Sequence, residues 1–105
     1  MQVEVSAISG WMLSGWDLDP FDTLRIELRR IDFDTATARD YYRCEALFRA
    51  LTSFDISLDR KPGSSLRVEA VRASKNSHDE DVVALDFGDA GRIELTAKEH
   101  IAFVY

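Results

Sequence analysis

Few residues of this 105-residue chain have the type and spacing to do chemistry, and most of those are acidic. Asp17, Asp19 and Asp22 lie close together, and hard cations such as Ca²⁺ and Mg²⁺ take carboxylate oxygens. A calcium loop starting at Asp17 would need glycine and glutamate where the chain has Asp22 and Leu28, so the segment reads as a solvated, turn-forming loop. His78 precedes Asp79, Glu80 and Asp81, but neighbours in an extended loop point in different directions. With two histidines and no H-x-x-x-H, C-x-x-C or H-E-x-x-H pairing, no zinc site is expected. Cys44, the single cysteine, reads as a small core residue because no activating neighbour is visible. Ser64 and Ser65 follow Pro62-Gly63 as turn chemistry, no G-x-S-x-G occurs, and the five scattered glycines form no phosphate loop. Nothing marks a carboxylate pair for acid-base work. The expectation is a protein that is not an enzyme and uses no metal or cofactor.

The remaining candidate is SGWMLSGWDLDP, residues 9–20, which holds both tryptophans, each after a glycine. It reads as a short irregular hairpin between the first strand and one beginning near Asp22. Trp11 with Leu13 and Trp16 with Leu18 occupy opposite parities, so one ring closes the core and the other is partly exposed. Trp11, Trp16, Asp17 and Asp19 are therefore the candidate binding residues, and an exposed ring beside aspartates is an interface anchor. An alternative is a small-ligand pocket lined by Trp11, Trp16, Tyr41 and Phe48.

Composition narrows the partner. A net charge of -6 disfavours nucleic acid, and no apolar run is long enough to span a bilayer. The partner expected is another protein, basic in character; self-association through the C-terminal strand IAFVY, giving a homodimer, is a further alternative. One cysteine and the lack of a signal peptide indicate a reducing, cytoplasmic setting. With 46% hydrophobic residues and no linker, the chain reads as one domain over residues 1–105.

The elements that must position these residues alternate mainly with period two. Val3, Val5 and Ala7 form a first strand; Leu24, Ile26 and Leu28 form a second, with a bulge or end expected at Arg29-Arg30. Tyr41, Cys44, Phe48 and Leu51, spaced three and four apart, predict a helix over residues 35–52. Ile56 and Leu58 are expected to pair with Leu66, Val68 and Ala70 across Lys61-Pro62-Gly63-Ser64. Lys75 to Asp81 is a surface loop, and Val83, Leu85 and Phe87 return through Gly88–Gly91 as Ile93, Leu95 and Ala97. A turn at Thr96 to Glu99 then precedes a last strand, with His100 on its polar side. The sum is an α+β fold: a single domain with an antiparallel β-sheet of about six strands packed on one main helix.

The run FDISLDRKPGSSLRVEAVRAS followed by VVALDFGDAGRIELTA, within residues 54–97, resembles the second half of small bacterial immunity proteins in strand rhythm and turn position. The resemblance implies a β-rich domain that neutralises a toxin by binding it. The tryptophan and histidine motif that precedes the first strand in the best-known such family is missing here, and no site residue is carried over. An acidic interaction module, with toxin immunity as its most concrete version, is the function expected.

Overall fold

The structure, a computed structural model, describes residues 2–20, 22–31, 41–59 and 66–104. Among these residues are seven strands: β1 (Gln2–Val3), β2 (Met12–Leu18), β3 (Leu24–Ile31), β4 (Tyr41–Leu58), β5 (Ala70–Lys75), β6 (Asp81–Asp86) and β7 (Gly91–Val104). They pair antiparallel in the order β2-β3-β4-β7-β6-β5, and β1 joins the far end of β7. Among the described residues no helix is long and apolar enough to cross a membrane.

The sheet closes on itself through residues 66–69. Arg67 bridges Met12; Leu13 donates its N–H to the Leu66 carbonyl at 2.7 Å, and Val68 donates to that of Trp11 at 2.8 Å. One residue further, Glu69 donates to the Asp86 carbonyl on β6 at 2.8 Å. One short segment is thus bonded to both sides of the sheet, which closes it into a small barrel at that point. The interior is filled by Leu13, Leu24, Ile26, Leu28, Cys44, Ala46, Phe48, Leu66, Val68, Val83, Leu85, Ile93, Leu95 and Ala97. Burying each large side chain in this set stabilises the fold by roughly 1.5–3 kcal/mol.

This architecture corrects the α+β expectation. The helices among the described residues are single 3-10 turns, Val5–Ile8 and Gly88–Ala90. Of the expected helix, residues 35–40 lie outside the described residues, and residues 41–52 belong to β4. The cause is a fault in the strand's phase. Cys44, Ala46 and Phe48 face inward opposite Leu28, Ile26 and Leu24. Ala50 then takes a positive φ of 54°, and the register against β7 slips between Leu51 and Ser53. Leu51 packs against the core three positions after Phe48, so an irregular strand imitates helical spacing. Alanine pays a steric penalty in the left-handed region, so Ala50→Gly is expected to raise stability by about 0.5–1 kcal/mol in urea denaturation.

Other expectations also change. Val5 and Ile8 reach the core from a 3-10 turn rather than along a first strand. β3 keeps an unbroken register with β4 through Arg29-Arg30. The Lys61-Pro62-Gly63-Ser64 turn lies outside the described residues, while Ile56 and Leu58 pair with Ile93 and Gly91 of β7, not with residues 66–70. β7 runs through Thr96 to Glu99 without a turn. Near its end Phe103 sits between Glu45 of β4 and Gln2 of β1, so this strand is flanked on both sides there. The chain turns through Gly88–Gly91 and β7 returns antiparallel to β6 as expected, with Leu85 opposite Ile93.

Candidate functional site

β2 begins inside the barrel and ends outside it. Leu13 stands opposite Leu28 and Gly15 opposite Glu27, so Ser14 is an extra residue, and its hydroxyl donates to the Glu27 carbonyl at 3.1 Å. This bulge reverses the parity of the rest of the strand. Trp16 and Leu18 therefore share the inner face with Leu13, opposite Ile26 and Leu24, rather than the opposite face that their spacing implied. Trp11 is 7% exposed and belongs to the core, whereas Trp16 is 36% and Leu18 51% exposed.

Asp17 projects from the other face, opposite Arg25. The neighbouring cations on that face are engaged by glutamates: Arg25 with Glu45 at 3.7 Å, Arg29 with Glu27 at 3.5 Å, and Arg43 with Glu27 at 3.3 Å. Such exposed pairs each contribute about 1 kcal/mol or less. Asp19 donates its N–H to the Thr23 carbonyl at 2.8 Å and caps the turn through Asp22, which has a positive φ of 63°. Of the four residues proposed from sequence, the structure gathers Trp16, Asp17 and Asp19 at one exposed strand end and assigns Trp11 to the interior.

Three of the four residues of the alternative aromatic pocket have described side chains. Phe48 is fully buried, Trp11 is nearly so, Trp16 is at the surface, and the Tyr41 side chain lies outside the described residues. Burial pushes the Cys44 thiol up to about 11, with the Glu45 charge adding to the shift, so it is protonated at neutral pH and a poor nucleophile. Among the described residues no three His, Cys, Asp or Glu side chains converge on a metal position.

A polar cluster that sequence reading missed occupies a gap in the barrel wall. β6 accompanies β7 as far as Ala97 and β1 rejoins it at Ala102, so that among the described residues no strand pairs with residues 98–101 on that side. There His100, on the same face as Phe48 rather than the polar side, packs its ring 6.4 Å from the phenyl centroid. Its Nδ1 lies 2.8 Å from Asp81 Oδ2, and Lys75 Nζ lies 3.1 Å from Asp81 Oδ1. A depression of about 320 Å³ opens beside them, lined also by Leu47, Arg49, Glu99 and Ile101. An aspartate-oriented imidazole can accept a proton, but none of these lining residues is a Ser, Thr or Cys nucleophile. The contact is long-range: Asp81 stands opposite Ala97, and His100 three residues further along β7 reaches it by its side chain.

Burial works to raise the Asp81 carboxyl, but hydrogen bonds and charge from Lys75 and His100 outweigh it and hold the group below its ordinary 3.8. A carboxyl lowered on folding adds stability above the unfolded value and loses it as pH falls through the folded value. Asp81→Asn is therefore expected to cost about 1 kcal/mol at neutral pH. The difference from wild type should shrink below pH 3.8, as followed by thermal unfolding across the acid range.

Compared with known protein families, characterised proteins and solved structures, the chain matches none.

Proposed function

We propose that the protein is an acidic binding module that captures a basic protein partner at the exposed end of β2. The observation that carries this reading is the pair Trp16 and Leu18, large apolar side chains left at the surface with Asp17 and Asp19 around them. An amphipathic ring in such a place supplies contact area at small entropic cost, and a negative field speeds the approach of a cationic partner. A net charge of -6 supplies that field over the whole molecule. Occupying a partner's functional surface needs no chemistry, so inhibition of a basic toxin, as immunity proteins perform it, is the concrete form of this function.

Selection of random displayed peptides on the immobilised protein tests the reading, with the Trp16→Ala variant as counter-selection. Recovered ligands should be rich in Lys and Arg and should bind the variant about tenfold or more weakly. Their association rates should fall steeply as salt rises. Neutral or acidic ligands, or equal recovery on the variant, would refute it.

A further inference from the structure

We infer that the depression beside His100 is a second binding site, independent of the β2 surface, and that it takes a free α-amino acid with an aliphatic side chain. Its walls carry the three kinds of group that such a ligand needs. β4 and β7 set Leu47 opposite Ile101 and Arg49 opposite Glu99, two steps along one face of the antiparallel pair. A half-buried apolar pair therefore adjoins an exposed guanidinium and an exposed carboxylate. All four line one depression of about 320 Å³, at the small end of the roughly 300–1,000 Å³ that ligand sites occupy.

Opposite charges facing each other across a ladder ordinarily join. Arg49 and Glu99 do not: among the described residues neither side chain makes an ion pair, although Arg25, Arg29 and Arg43 on β3 and β4 each engage Glu27 or Glu45. A ligand carboxylate on the guanidinium and a ligand ammonium on Glu99 satisfy both groups at once. A simple acid is repelled by Glu99 and a simple amine by Arg49. His100 adds to the side that receives the ammonium. Its Nδ1 donates to Asp81 at 2.8 Å, and in the neutral ring that tautomer leaves Nε2 as an acceptor. Asp81 itself is already engaged, with Lys75 at 3.1 Å on its other oxygen, so it does not compete for the ligand. The aliphatic side chain of the amino acid then lies on Leu47 and Ile101.

The experiment titrates L-leucine into the isotope-labelled full chain and follows backbone amide shifts. Leucinamide, which lacks the carboxylate, isocaproate, which lacks the ammonium, and glycine, which lacks the aliphatic chain, serve as comparisons. Leucine should shift the amides of residues 47–49 and 99–101 saturably and bind about tenfold or more tightly than each of the three. Arg49→Gln should abolish the preference for leucine over leucinamide, and Glu99→Gln the preference for leucine over isocaproate. Both positions are exposed, and unchanged amide spectra away from the site confirm that each variant is folded. Leucine that leaves these amides unmoved, or binds no better than its analogues, overturns the assignment. So do variants that keep both preferences. Each of these outcomes leaves the basic partner at Trp16 standing, since the peptide selection above tests that surface separately.

Discussion

Gly91→Ala is expected to destabilise the protein by about 3–5 kcal/mol, a large share of the roughly 5–15 kcal/mol that holds a domain of this size together. Gly91 opens β7 with a φ of 119°, a conformation that residues with a Cβ rarely adopt. A Cβ built on it would run into the Ser57 carbonyl oxygen of β4 and come within 2.9 Å of the carbonyl carbon. Neither group can retreat cheaply. Leu58 is paired with Gly91 across the ladder, and Gly91 accepts from Phe87 N–H at 2.9 Å to close the turn from β6. Gly15→Ala is the control, because a Cβ there meets nothing within 4 Å and its φ is not left-handed. Urea denaturation should show a strongly lowered midpoint for the first variant and a nearly unchanged one for the second. Equal midpoints would mean that β4 and β7 are not in this register.

Phe48→Ala should be almost as costly, about 3–5 kcal/mol, through the cavity it leaves. Phe48 is fully buried in β4 and faces Leu24 of β3 on one side and His100 of β7 on the other. Its phenyl ring also backs the imidazole bonded to Asp81, so truncation loosens that contact along with the core. The same change at Arg49, the next residue and exposed, should shift the midpoint by no more than about 0.5 kcal/mol. Comparing the two separates inward from outward positions on β4.

Local alternation identified β3, β6 and the first half of β7, because Leu24, Ile26 and Leu28, Val83 and Leu85, and Ile93, Leu95 and Ala97 each keep one parity toward the core. It failed where a strand changes phase. At Ala50 and Leu51 the irregularity turned strand spacing into helix spacing, and at Ser14 one extra residue brought two tryptophan-leucine pairs of opposite parity to the same face. A two-residue period cannot report such a fault, since one inserted residue reverses everything after it. Closure was invisible for a different reason. Met12 meets Arg67, and His100 meets Asp81, through pairings that no local window contains. Within the candidate stretch, local spacing implied one ring in the core and one at the surface without saying which, and the structure buries Trp11 and exposes Trp16.

β7 comes later in the chain than every strand it joins, and it joins β1, β4 and β6. While the chain is being synthesised, the hairpin of β5 and β6 and the meander from β2 to β4 lack the strand between them, and among the described residues they are linked through residues 66–69. The apolar rows of β4 and β6 then face water, or other nascent chains, until β7 emerges. At about 5–20 residues per second that interval is on the order of a second, long compared with hairpin formation. Yield in cells should therefore depend on chaperones that shield β4 during this wait, more than on the stability of the finished barrel.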